Sequence, residues 1–543
     1  MFDAWDVGLG NPDNVPKAKT RIAWTEEAMF SKAVLCRDKR NLKKQQAYAA
    51  AKNRLDRWEQ GERKTLWEWI HVPKQQKKKK AASEEQRIQR VNNLAQKGKA
   101  GKAIQAATSP GLAMDTQDVE DMLTSKFPRR LQENRNRPIP PFQHQATREE
   151  VVKEIRSFGQ GATPGHLGLW PQFLKEMVGA EGDQDIINVY VERVQVFLDG
   201  RAPAYMRQWY GGGRLVGIGK DDEPLDKDAR PLVVGETWRR LVEKVGLRGE
   251  GIQNPESDFV GFLKKYQVAI GVKAGSEVII HTLRQWCLRN KGASGIALLK
   301  RDYANAFNTA DEHELLTACH EWLPGCARFA EWCYGETVNL IYHGRILHSH
   351  KGQQGSPLMM PMFCAMRQKM RKETPSVRNL SIVADYADDG MDGGSLQQIW
   401  DTLQEEYLIA DKYGLQFNYK KMTLYLMDGE SSQDPQDPQV QSLLQRFREK
   451  GIAIDTSMNI MFMKVPLIGS PSFVKGWVER KLQALRGTWM LLKSCPTRML
   501  HITCYAKQLV CAGSCFGCGQ CRKIWWGSCC KSLTVCSVEL LKS

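Results

Sequence analysis

"SIVADYADDGMDGG", Ser381 to Gly394, carries four aspartates within eight residues. Two of them, Asp388 and Asp389, are adjacent. They follow the apolar run Ile382, Val383, Ala384 and precede Gly390. Asp388-Asp389-Gly390 is turn chemistry after an apolar strand, so the stretch reads as a hairpin with two carboxylates at its tip. Adjacent carboxylates repel each other, and a positive charge is expected where a chain sets them at the end of a buried strand. Upstream, "GIALLKRDYANAFNT" repeats the plan: an apolar run, Ile296 to Leu299, leads to Asp302. The hairpin tip would lie beside the strand end carrying Asp302. Three carboxylates around one point suit two hard divalent cations with oxygen ligands, the arrangement used for in-line displacement at phosphorus. A lone Asp-Asp pair is ordinarily a solvent-facing turn, so the weight falls on the motifs around it.

At 543 residues the chain is too long for one compact domain, and roughly three or four units of ordinary size are expected. Its 42% hydrophobic share is enough for a real core. The net charge of +17 suits a polyanionic partner and says nothing about fold. No run of eighteen apolar residues and no signal-peptide pattern at Met1 are found, so the chain reads as neither secreted nor membrane-spanning. Of 15 cysteines, eight fall between Cys504 and Cys536; the others are scattered as expected of reduced, buried thiols.

Composition divides the chain. Residues 1–145 are polar and basic and read as a mostly helical or disordered extension. Within it "KQQKKKK", Lys74 to Lys80, is either a solvated linker or a contact for nucleic acid or nuclear import. "RNRPIPPFQHQ" marks a boundary with its prolines. Apolar content stays high from 146 to 475. "DGESSQDPQDPQVQ" reads as a surface loop inside that region.

The motif order resembles that of reverse transcriptases of non-LTR (LINE-like) retrotransposons. "YADD", Tyr386 to Asp389, resembles their catalytic box, and "DYANAFNT" their first aspartate box. "GQQGSPL", Gly352 to Leu358, looks like the box between the two; "GLQFNYKKM", Gly414 to Met422, and "VPLIGSPSF" look like the two that follow. "RLVGIGKDDEPLDKDARPLVVGETWRRLVEK" and "GATPGHLGLWPQFL" are similar to segments of the family's fingers. The resemblance implies an α+β right-hand polymerase fold: fingers and a ferredoxin-like palm over 146–475, a truncated thumb over 476–503, and a Cys-rich tail over 504–543.

It also implies roles. Asp302, Asp388 and Asp389 would hold two Mg²⁺ ions, with Mn²⁺ able to substitute, and the carbonyl of Tyr303 would reach a metal too. Lys220 and Arg230 would contact the incoming triphosphate, since Arg pairs bidentately with phosphate oxygens and Lys supplies a point charge. Gln354 and Gly355 would lie against nucleotide and template, and Lys421 would be the acid for the leaving pyrophosphate. Gly469 would belong to the turn that holds the primer end. Phe307, an aromatic under the sugar, would leave no volume for a 2′-hydroxyl. Arg239 and Arg240 fall in the matched fingers segment but read equally as solvated basic residues. The implied partners are an RNA template, a DNA or RNA primer and dNTPs, with a nicking endonuclease supplied separately. The implied site of action is the nucleus, or else the cytoplasm. A group II intron-type or domesticated enzyme, and a non-catalytic RNA-binding remnant, are the alternatives.

"SLQQIWDTLQEEYLIADKYG" predicts an amphipathic helix with Ser395 as N-cap, Leu396, Ile399, Trp400, Leu403 and Tyr407 on the core side, and Gly414 past its end. Two motifs mislead. "GGGRLVGIGKDD" is not a phosphate-binding loop, because the glycine spacing is wrong and Asp221 stands where Ser or Thr belongs. "HELLTACH" has Thr317 where a zinc-protease helix needs histidine, which leaves His313 and His320 as surface or satisfied helix residues. In the tail, Cys511, Cys515, Cys518 and Cys521 are spaced for zinc, for scattered thiols, or for degenerate sequence.

Overall fold

The computed structural model describes residues 18–35, 44–71, 84–96, 112–113, 116–128, 144–159, 161–179, 184–219, 228–429 and 437–490, with single residues 103, 106 and 138. Lys220, the Lys74–Lys80 run and the Cys-rich tail lie outside them. The chain is mixed α and β, and the described residues fall into two compact units: 1–77 with 110–457, and 78–109 with 458–543. Among the described residues no helix is long and apolar enough to cross a membrane.

The first unit is built on two sheets. One runs β6-β7-β3-β8-β9, where β3 is Ile296–Arg301, β6 Ile382–Tyr386, β7 Asp389–Ser395, β8 Thr423–Leu426 and β9 Ala453–Asp455. β3 lies between β7 and β8, antiparallel to both, and its Ala297, Leu298 and Leu299 are buried. β8 and β9 run parallel, so the helix Pro438–Glu449 carries the crossover between them. Its Leu443, Leu444 and Phe447 meet Leu396, Ile399 and Leu403 of the helix Leu396–Ala410 over Leu299, Leu424 and Leu426 of the sheet. That second helix starts as its sequence predicts: Ser395 and Gln398 form a capping box, and Gly414 just past its end is left-handed.

The other sheet runs β2-β1-β4-β5, with β1 Gly213–Gly219, β2 Ala229–Gly235, β4 Val338–Tyr342 and β5 Arg345–Ser349. The β4–β5 hairpin turns over His343 and Gly344, both at positive φ as a two-residue primed turn demands. The glycines before β1 serve packing: a side chain at Gly212 would collide with the Asn339 backbone.

Three expectations change. The boundary at 145 is compositional only. Trp24 and Ala28 of the helix Ala18–Ala33 sit in the unit's main core, and Glu27 accepts from Arg193 at 2.7 Å. Val119 and Leu123 of the helix Gln117–Ser125 pack on Leu215, Ala229 and Val233. A basic average over 145 residues hides these few apolar anchors. Next, the polar stretch read as a surface loop becomes helical from Pro438, where Asp437 caps the helix Pro438–Glu449. Finally, Tyr407 is not core; it is about half exposed, with the Lys450 ammonium 4.6 Å from its ring centroid. Snorkelling of an amphipathic ring satisfies the helical period without burial.

In the second unit, β10 (Ile460–Phe462) and β11 (Val465–Ile468) form a hairpin whose turn residues Met463 and Lys464 have positive φ. Trp477 of the helix Pro471–Met490 donates to the Lys464 carbonyl at 3.1 Å. Gly469 follows β11, and a side chain there would collide with the ring of Phe473.

Candidate active site

The carboxylates are gathered by strand register. β6 and β7 pair from Ile382↔Gly393 to Tyr386↔Asp389, which leaves Ala387 and Asp388 as the hairpin turn. β7 pairs with β3 up to Arg301↔Gly390, so Asp302, the next residue on, stands beside the tip. A second segment orients Asp302. The Asn418 amide donates to its Oδ2 at 2.8 Å, and the Asn418 N–H bonds its carbonyl at 2.9 Å.

The site carries uncompensated negative charge. Asp388 is pushed up to about 6: burial acts most, the charges of Asp389 and Asp302 add to it, and Arg230 offsets part of it. Burial also raises Asp389; Lys300 and Arg230 act against the shift and Asp302 with it. Among the described residues, no three His, Cys, Asp or Glu side chains are already gathered closely enough to hold a metal ion. The donors are nonetheless hard oxygens under mutual repulsion, and a divalent cation fits them in kind.

Further walls converge here. Arg230 stands exposed on β2, within electrostatic reach of both hairpin aspartates. The turn 352–355 lies against the same strand: Val233 donates to the Gln354 carbonyl at 2.8 Å, and Gly355, at φ 112, leaves no room for a side chain over Val233. The other side of that turn meets the residues after Asp302. Asn308 donates to the Gly352 carbonyl at 3.2 Å, and a side chain at 352 would strike the Phe307 carbonyl. Phe307 is half-buried, its ring 4.6 Å from that of Phe363. Lys421 is exposed, one 3₁₀ turn beyond Asn418. Gly469 belongs to the second unit.

The expectation for Tyr303 concerns its carbonyl; its side chain lies elsewhere. Its side chain is buried, its ring stacks on Phe417 at 5.0 Å, and its hydroxyl reaches Glu406 at 3.4 Å. It belongs to a charge cluster beneath the tip. Arg301 pairs with Asp385 and, at 2.8 Å, with Asp392. Arg371 bonds Asp385 at 3.0 Å and Asp392 at 2.6 Å and forms an ion pair with Glu406 at 2.8 Å; Arg367 reaches Glu406 at 3.2 Å. Three arginines thus balance three carboxylates, all buried. Asp385 and Asp392 therefore have a different task from Asp388 and Asp389. The pairing Asp385↔Gly390 and Val383↔Asp392 sets them together on one face of the hairpin.

Burial alone would raise Asp385 and Glu406, but the arginines hold both below the ordinary carboxylate range. A carboxylate depressed in the fold contributes stability above its unfolded pKa and loses it as pH falls toward the folded one. Acid unfolding is therefore expected to set in as pH drops below about 4. Circular dichroism against pH checks this, and unchanged stability down to pH about 2 would deny the pairs their role.

Sequence reasoning missed Asn418, this cluster, and two further residues. Lys126 donates to the Ala229 carbonyl beside Arg230 at 2.5 Å and accepts at its own carbonyl from Asn305 at 2.7 Å. Gln267 contacts the hairpin turn. Arg239 turns out to be buried structure: it bonds Glu243, Gln353, Tyr334 and the Gly211 carbonyl. Arg240 donates to the Thr163 carbonyl at 2.7 Å. The His320 Nδ1 lies 3.1 Å from the Pro138 carbonyl and its Nε2 2.9 Å from Glu331. No protein-family model matches the chain, and no curated protein matches it.

Proposed function

We propose that this chain is an RNA-directed DNA polymerase of the non-LTR retrotransposon type, extending a primer 3′-OH on an RNA template with dNTPs. One observation supports it above the rest: Asp302, Asp388 and Asp389 share a repulsive field at one sheet end, faced by Arg230. On this reading β3 and its neighbours are the palm, the sheet carrying Arg230 belongs to the fingers, and the chain after β11 begins a thumb.

The three aspartates would hold two Mg²⁺ ions, which would polarise the α-phosphate and favour the ionised 3′-OH. The remaining work falls to the chain. Asn418 fixes the orientation of Asp302. Arg230 would pair with phosphate oxygens and stabilise charge on the leaving pyrophosphate. Lys421, solvent-accessible near that end, would return the proton. The turn 352–355, bonded to β2 on one side and to Asn308 on the other, would form the floor under nucleotide and template.

An RNA-templated primer-extension assay with Asp388→Asn as control tests the proposal. Incorporation no higher than that of the variant, across several templates, would reject it.

Two further outcomes follow from the same reading. If the +17 charge tracks a phosphate backbone, affinity for single-stranded RNA falls by about 10²–10⁴ between 50 and 200 mM salt for about six to ten phosphate contacts. A flat titration would make the charge a solubility feature. Phe307→Ala, which removes a ring held against Phe363, is expected to shift the dNTP-to-rNTP efficiency ratio by roughly tenfold to hundredfold toward rNTPs. An unchanged ratio in a folded variant would take Phe307 out of the sugar site.

A further inference from the structure

The hairpin tip holds a residue in an unfavourable conformation. Ala387, immediately before Asp388, has φ 55, a left-handed backbone that residues with a Cβ seldom adopt. It is also buried, at 5% exposure, so water does not satisfy its peptide groups.

A single side chain satisfies them. Gln267 is 1% exposed. Its backbone neighbours run along the outer edge of β6: Asp385 donates to the Tyr266 carbonyl at 2.9 Å, and Val268 donates to the Asp385 carbonyl at 3.1 Å. From that rail the Gln267 amide reaches the turn. Oε1 accepts the Ala387 N–H at 2.9 Å, and Nε2 donates to the Ala387 carbonyl at 3.3 Å. Oε1 also accepts the Ala269 N–H at 3.1 Å, which holds the amide in the orientation the clamp needs. An amide is suited to this position because it offers an acceptor and a donor side by side. Asparagine is a methylene shorter, glutamate lacks the donor, and an apolar side chain lacks both.

We propose that Gln267 is a positioning residue for the candidate active site: its amide holds Ala387 in the left-handed conformation, which sets where the hairpin presents Asp388. The effect on catalysis rests on the polymerase reading above; the clamp itself does not.

The test uses the full chain with Gln267→Met, which keeps the side-chain volume and loses all three hydrogen bonds of the amide, Ala387→Gly, and the double variant. Amide hydrogen exchange over 384–391 reports the clamp without reference to activity. Gln267→Met is expected to speed exchange at the tip by about tenfold, the factor that goes with one lost net hydrogen bond, while β3 and β8 keep their protection. In primer extension the same variant is expected to lose about 10- to 100-fold in kcat with the dNTP KM nearly unchanged, as for a displaced catalytic group. Glycine adopts positive φ without the Cβ penalty, so adding Ala387→Gly is expected to restore part of the lost kcat. A residue that only filled space would show no such rescue. A double variant no better than Gln267→Met, or tip exchange unaltered by that substitution, would overturn the proposal. If wild type incorporates no more than Asp388→Asn, the polymerase reading falls and exchange alone decides the clamp. Should Gln267→Met not fold, Gln267→Glu, which keeps the acceptor and loses the donor, is judged by the same criteria.

Discussion

Asp302→Ala and Asp388→Ala are each expected to abolish incorporation, a loss on the order of 10³-fold or more, while RNA affinity stays within about threefold of wild type. The separation follows from where the charges lie. On the polymerase reading, affinity for RNA would come from the basic surface, whereas the aspartates would repel phosphate and contribute nothing favourable until a cation intervenes. Asp388→Ala is also expected to raise the unfolding midpoint in the absence of divalent cations, whereas Asp302→Ala takes away the partner of the Asn418 amide and is not. Asp388 and Asp389 repel each other across one peptide bond, and Asp302 adds to the strain. Removing the Asp388 carboxylate relieves its burial and this repulsion together, about 1–2 kcal/mol. Filter binding, primer extension and thermal unfolding of the same preparations check the three claims together. Loss of RNA binding in step with activity, or a midpoint lowered by Asp388→Ala, would make these carboxylates structural.

Arg371→Leu is expected to be among the most destabilising single changes in the chain, at about 3–5 kcal/mol. Its guanidinium meets Asp385, Asp392 and Glu406 with no exposure to solvent. Leucine would leave three buried carboxylates to share Arg301 and Arg367, which is the costly way to break a buried ionic cluster. Lysine would not repair it, because an ammonium cannot match the planar fork that spans three acids. The comparison is Lys412→Ala, whose pair with Glu373 is exposed and is expected to change stability by at most about 0.5 kcal/mol. Urea denaturation followed by circular dichroism measures both. Similar small losses for the two would show that the cluster is held by its surroundings rather than by Arg371.

The hairpin and the strand beside it are legible in the sequence because each is a local pattern: an apolar run, then turn chemistry. Their adjacency is expected only because three carboxylates around one point would suit divalent cations. The division of labour among the four aspartates is not legible. Strand parity puts Asp385 and Asp392 on one face, but their partners come from Arg301 on another strand and Arg371 on a helix. A faint signal does exist: Arg367 and Arg371 stand four apart in the apolar stretch "MMPMFCAMRQKMRK", where an unpaired charge would be prohibitive. Asn418 is harder still, since its hydrogen bond to Asp302 spans 116 positions and depends on the path of an irregular segment. Ala387 gives no hint at all, because its backbone angle is imposed by the turn and by Gln267 rather than by any preference of alanine.

The docking of the helix Ala18–Ala33 bears on how the nascent chain matures. Glu27 leaves the ribosome before its partner Arg193, which lies 166 residues further on. At about 5–20 residues per second, roughly 10–30 s pass before the pair can form. Throughout that interval Trp24 has neither the ring of Phe197 nor the guanidinium of Arg193 against it. The helix therefore waits for partners made well after it, and until they emerge its apolar face is a ready target for chaperones.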